Sequence, residues 1–190
     1  IIEFSYGDKL PWPEEPDGEG FSLTLHAPSA SQTTDHPNPA AWRGSRLPGG
    51  SPGTNDGIVF SDWAAANGLG DEAEWNNDAD NDGLSNLLEY ALATNSGAPS
   101  TEEGPQVDRR QFTGGEDTGE YMTFTFRRQV AAEDLLYFVE FSEDLETWNV
   151  VSAFPYSIIR HGDGTQTEVW CTSFEVNMNS RYFLRLRVEG

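Results

Sequence analysis

The densest chemistry in the chain lies in twelve residues, Asp78-Ala79-Asp80-Asn81-Asp82-Gly83-Leu84-Ser85-Asn86-Leu87-Leu88-Glu89. Asp at the first, third and fifth places, Gly at the sixth and Glu at the last reproduce the spacing of a calcium loop. As such a loop winds round a central point, the carboxylates of Asp78, Asp80 and Asp82 converge on it. Gly83 permits the sharp turn that a Cβ would obstruct. Leu84 would offer its backbone carbonyl, Asn86 would reach the ion directly or through water, and Glu89 would close the site with both oxygens. Four carboxylates so close repel one another unless a divalent cation neutralises them. Donors that are all oxygen suit Ca²⁺ and disfavour Zn²⁺. Ca²⁺ is therefore the expected cofactor. A single unpaired loop should bind it with a dissociation constant on the order of 10⁻⁵ to 10⁻³ M, a range filled outside cells.

Other reactive residue types lack the company that catalysis needs. Gly49-Gly50-Ser51-Pro52-Gly53 fits the letter of a nucleophile elbow, but Pro and Gly flank the serine where a strand and a helix are required. His26, His36 and His161 stand alone, without the spacing of a metal pair or a triad. Cys171 is the only cysteine, so no disulfide closes within the chain, and it reads as a small apolar residue. Arg109-Arg110 and Arg127-Arg128 read as partners for nearby acids. No convergent nucleophile or acid–base set emerges, and the chain is expected not to be an enzyme.

The elements that must position the loop are short. Phe60, Trp63, Ala64 and Ala65 predict a helix that ends before Gly68. Leu84, Leu87, Leu88, Ala91 and Leu92 follow the spacing of a second, amphipathic one. This segment, residues 57–98, carries eight acids and no cation. Before it, residues 1–56 are rich in Pro and Gly, with strand candidates only at Ile1–Tyr6 and Phe21–His26. Such a segment is too small to fold alone, so its strands should pair with the third part or with another chain. After it, residues 99–190 alternate apolar and polar residues through Met122–Phe126, Tyr137–Phe141, Glu168–Cys171 and Tyr182–Val188. Asp163-Gly164 marks a hairpin there. The expected fold is mainly β: Ig-like strands and a small antiparallel β-sandwich, joined by a calcium-binding helix–loop–helix. The expected domain division is 1–56, 57–98 and 99–190.

Composition narrows the partners. The 190 residues hold 32 acidic and 11 basic side chains, a net charge of −21. That field repels nucleic acid and anionic membranes, and no apolar run is long enough to span a bilayer. Ile1-Ile2-Glu3 reads as the interior of a longer polypeptide.

Phe60-Ser61-Asp62-Trp63-Ala64, with Asp78 through Leu92, resembles the bacterial thrombospondin type 3-like calcium repeat of large secreted proteins. The resemblance implies calcium ligation by Asp78, Asp80 and Asp82. Trp12-Pro13 through Leu25, with Asn38-Pro39-Ala40-Ala41-Trp42-Arg43, resembles the closing half of a lamin-tail-like Ig domain. Tyr137 through Trp148 and Arg181 through Leu186 are similar to a C-terminal β-domain that follows such repeats. Together these resemblances imply a non-catalytic, calcium-stabilised structural or display module of a secreted or cell-surface protein, with other modules or chains of its parent as partners. The alternative is a carbohydrate-binding accessory module of a polysaccharide-degrading enzyme, kept open by six Trp. Strand parity places Phe138, Trp170 and Phe183 outward among charged residues, as a glycan platform or docking face, and Val139, Phe141, Val169, Cys171, Leu184 and Leu186 inward.

Overall fold

In a computed structural model the described residues are 3–26, 35–99, 104–113, 118–151, 155–176 and 181–190. Among them are nine strands, two α-helices and two 3₁₀ turns, and the fold is mainly β. The strands form three antiparallel sheets. The chain divides into two units. One comprises Ile1–Ser100 with Gln129–Asp134 and Arg160–Gln166; the other comprises Thr101–Arg128, Leu135–Ile159 and Thr167–Gly190.

In the first unit, β1 (Leu23–Leu25) pairs antiparallel with β2 (Trp42–Gly44), Thr24 opposite Arg43. The Phe21–His26 strand thus finds its partner inside its own segment, which corrects the expectation that it pairs with the third part or another chain. Residues 3–6 form no strand, and Ile1 and Ile2 lie outside the described residues. In place of a strand there, Phe4 stacks on Trp42 at 5.2 Å and on Trp12 at 6.4 Å, so aromatic burial substitutes for a ladder. Beneath β2, Arg43 is buried and its guanidinium donates to Asp56 Oδ2 at 2.5 Å and Glu133 Oε1 at 3.3 Å. Asp56 also accepts from the Ser51 hydroxyl and the Arg46 N–H. Burial pushes its carboxyl up, yet these donors outweigh it and hold Asp56 below its ordinary value. Ser51, the serine of the elbow-like motif, is therefore a strut for this ion pair.

The helices α1 (Phe60–Ala66) and α2 (Asn86–Leu92) complete the unit. Gly68 follows the Asn67 C-cap with φ +71°, as the sequence suggested. Phe60, Trp63 and Tyr90 are buried together, and Trp75 stacks on Phe60 at 4.7 Å.

The second unit is β-sandwich-like. One sheet runs β3 (Gln106–Phe112), β4 (Gly119–Gln129), β8 (Thr165–Cys171), β7 (Ser157–Arg160); the other runs β6 (Asn149–Val150), β5 (Leu136–Ser142), β9 (Phe183–Glu189). Met122, Phe124 and Phe126 line the inner side of β4, each 7% exposed or less. Tyr137 of β5 stacks on Phe126, and Val139 is fully buried. That alternation is the one expected for β4 and β5. On β8 both sides are buried: Val169, expected inward, is 6% exposed, but so is Trp170, expected outward. The Trp170 indole N–H donates to Glu168 Oε2 at 2.9 Å. Glu168 takes the Arg128 guanidinium at 2.6 Å, and that guanidinium lies 4.3 Å over the Tyr137 ring of the opposite sheet. The even side of β8 therefore faces inward, carrying a charged pair that satisfies itself, and Cys171 is only half-buried.

Candidate metal centre

The acidic loop is built by its own side chains. The Asp82 N–H donates to Asp78 Oδ1 and to Asp80 Oδ1, both at 3.1 Å. The Gly83 N–H donates to Asp78 Oδ2 at 2.9 Å, and the Leu84 N–H to Asp82 Oδ1 at 2.8 Å. These local bonds are the turn-forming habit of Asp, used three times in succession. Two residues take left-handed backbone, Asn81 at φ +62° and Gly83 at φ +97°. Asn tolerates that region, and Gly occupies it without steric cost. One ligand oxygen from each of Asp78, Asp80 and Asp82 then lies within 4.8 Å of the others.

Helix α2 brings the other two side chains. Asn86 is its first residue, fully buried, and its N–H donates to the Asn77 carbonyl at 2.7 Å. Its Nδ2 donates to the Glu72 carbonyl at 2.7 Å and the Glu74 carbonyl at 2.9 Å. Two carbonyl acceptors require the amide nitrogen at that end, so Oδ1 faces elsewhere, buried and without a hydrogen-bond partner. Glu89, one turn further on, is fully buried, and neither of its carboxylate oxygens has a partner. Asp80 Oδ2 shares that condition. Burial, then the charges of Asp80, Asp82 and Asp78, push the Glu89 carboxyl up to about 7. Glu89 stands outside the close cluster of three and approaches it from the helix.

An unpaired buried carboxylate is costly, and three neighbouring carboxylates raise the cost. Nothing within the described residues relieves it. A cation would, and the donor atoms are carboxylate and amide oxygens throughout, a set that fits a hard divalent ion. The structure thus brings Asp78, Asp80, Asp82, Asn86 and Glu89 to one end of α2, with Leu84 at the exit of the loop.

The helix is held from behind by Tyr90. Its single O–H is shared between two acceptors, Asp134 Oδ1 at 2.8 Å and the Ile58 carbonyl at 3.0 Å. Asp134 also accepts the Phe60 N–H at 2.6 Å, at the start of α1. The Glu72 and Glu74 carbonyls and this Tyr90–Asp134 link were not legible from spacing. No motif announces a backbone carbonyl that orients an amide.

The second candidate set is divided. Phe138 and Phe183 share a face of the β6–β5–β9 sheet, Phe138 opposite Arg187 and Phe183 opposite Ser142, with Glu140 opposite Arg185 between them. Trp170 belongs to the other sheet, buried, so the three rings do not form one platform. The face is instead an ion ladder: Glu140 accepts from Arg185 Nε at 2.8 Å and Arg187 Nε at 2.9 Å. Arg187 lies 4.0 Å over the Phe138 ring, and Arg185 lies 3.9 Å over Trp148. Burial raises the Glu140 carboxyl, but both guanidiniums outweigh that and hold it below its ordinary value.

No family model, curated protein or solved structure matches the chain.

Proposed function

We propose that the chain is a non-catalytic structural or display module of a secreted or cell-surface protein, stabilised by one Ca²⁺ held by Asp78, Asp80, Asp82, Asn86 and Glu89. The observation that carries the reading is Glu89, fully buried and unpartnered beside three carboxylates. The loop spacing favours Ca²⁺ over other hard cations, since the Leu84 carbonyl and a two-oxygen Glu89 give the high coordination number that ion takes. Bound, the ion supplies charge neutralisation and a cross-link between loop and helix; no substrate chemistry is asked of it. The residues around it act as supports. Asn86 joins the loop to the Gly70–Glu72 turn, and Tyr90 joins α2 to Asp134 and α1. Calcium would therefore set the rigidity of the whole first unit.

Thermal unfolding in chelator and in excess calcium tests this. Binding to the folded state alone stabilises by about 2.7 kcal/mol at a hundred times the dissociation constant. Asp78→Ala should remove most of that gain. Identical melting temperatures for the wild-type chain in the two conditions would refute the reading.

A further inference from the structure

The outward side of the β3–β4–β8–β7 sheet carries a cavity of about 410 Å³, lined by Phe112, Thr113, Tyr121, Tyr156, Cys171, Thr172 and Ser173. Its size lies within the roughly 300–1,000 Å³ typical of small-molecule sites. Phe112 is the corner of an aromatic group. Tyr121 meets it edge-on at 5.5 Å and 81°, and Tyr156 at 5.2 Å and 73°. These rings come from β3, β4 and the segment before β7, so three separate stretches of chain converge on one spot. Thr113 and Ser173 add hydroxyl side chains to the lining; Thr172 lines it too, but its own hydroxyl donates to the Phe174 carbonyl. Tyr156 is 52% exposed although it is a large aromatic packed on Phe112.

The lining has a second property. The chain has 43 charged side chains (32 acidic and 11 basic), yet among the described residues none of them lines this cavity. An ionic ligand would find no counter-charge among the described lining residues. Aromatic rings interleaved with hydroxyls suit a neutral molecule with one apolar face and many hydroxyls. A pyranose ring has that constitution: its axial C–H face packs on an aromatic ring while its edge exchanges hydrogen bonds with Ser, Thr and Tyr hydroxyls. The Phe138–Phe183 face offers no comparable place, since its rings lie beneath or beside a paired Arg–Glu ladder.

We propose that the Phe112–Tyr121–Tyr156 cavity is a binding site for a neutral pyranose unit of a polysaccharide. The site stands on geometry separate from the acidic loop and does not depend on the calcium reading. Cys171 contributes a small side chain to the floor; a larger residue there would fill the space the sugar needs.

The test is affinity electrophoresis of the full chain, in calcium, through gels containing hydroxyethylcellulose, xylan or laminarin, with polygalacturonate as the charged comparison. The wild type should be retarded by at least one neutral polymer and not by polygalacturonate. Tyr156→Ala removes a half-exposed ring and should weaken retardation about tenfold, with an unchanged melting temperature. Cys171→Phe should abolish retardation by filling the cavity. Phe138→Ala should leave retardation intact. The proposal is overturned if no neutral polymer retards the wild type, or if only polygalacturonate does. It is likewise overturned if Tyr156→Ala binds as the wild type does while Phe138→Ala fails to bind. A concentration-dependent rise in mass, lost in Tyr156→Ala without any glycan binding, would make the cavity a protein interface and also overturn it.

Discussion

Glu89→Gln should act in opposite directions with and without calcium. The substitution keeps the shape of the side chain and removes its charge. Without an ion, the wild-type fold holds a fully buried carboxylate with no hydrogen-bond partner beside Asp78, Asp80 and Asp82. An unsatisfied buried polar group costs about 1–3 kcal/mol, and more when charged. Allowing for screening by the half-exposed loop, neutralising Glu89 should recover on the order of 2 kcal/mol in chelator above pH 7. For a chain of this size that is about 4–8 °C in melting temperature. In excess calcium the wild type gains about 2.7 kcal/mol at a hundred times its dissociation constant. The variant, having lost a two-oxygen ligand, should gain little, so its advantage is lost and the wild type becomes slightly the more stable. The sign of the pH effect follows. Because the Glu89 carboxyl is raised to about 7 in the ion-free fold, that fold takes up a proton that the unfolded chain does not take up until about pH 4.3. Ion-free stability should rise as pH falls from about 7 toward that value. Differential scanning fluorimetry of both proteins, in chelator and in calcium, measures all of this. If Glu89→Gln is destabilising in chelator and responds to calcium like the wild type, the carboxylate is not awaiting a cation and the reasoning fails.

Three further outcomes are expected. Arg43→Met leaves Asp56 and Glu133 buried without their cation and should cost about 3–5 kcal/mol at pH 7 by urea unfolding. Since Asp56 is held below its ordinary value, the stability it gives is present above about pH 4 and lost as pH falls through its folded value; the gap between wild type and variant should shrink there, and a pH-independent gap would contradict the pairing. Tyr90→Phe removes the hydroxyl from Asp134 and Ile58 and should cost about 1–3 kcal/mol. It should also raise amide hydrogen exchange in 129–134, which unchanged exchange would refute. Trp170→Ala empties a buried site and removes one donor from Glu168, which keeps Arg128; a loss of about 3–5 kcal/mol is expected, with retardation by neutral polysaccharide retained at a temperature where the variant is folded.

Much of this architecture was legible where local chemistry and burial agree. Asp163-Gly164 joins β7 to β8 because few other dipeptides supply such a turn, and Gly162 and Gly164 both have positive φ. Phe60 through Ala66 is helical because its apolar spacing and the left-handed Gly68 coincide. The acidic loop was legible because its carboxylates are local and sequential. What hydropathy conceals is polar burial and long-range pairing. β3, Gln106–Phe112, shows no alternation because it is an exposed strand pairing only with β4. β6 is two residues long and leaves no period to read. The inward turn of Trp170 is hidden because its neighbour Glu168 reads as surface until Arg128 is seen to meet it. Tyr156 gains its place through Phe112, far away in sequence.

Isothermal titration calorimetry of calcium into the chelator-stripped chain reads the loop's occupancy itself. One ion should bind per chain, with a dissociation constant on the order of 10⁻⁵ to 10⁻³ M, and Asp80→Ala should abolish the heat while leaving the protein folded in chelator. Absence of saturable binding up to millimolar calcium, or binding that Asp80→Ala leaves unchanged, would show that the loop holds no calcium.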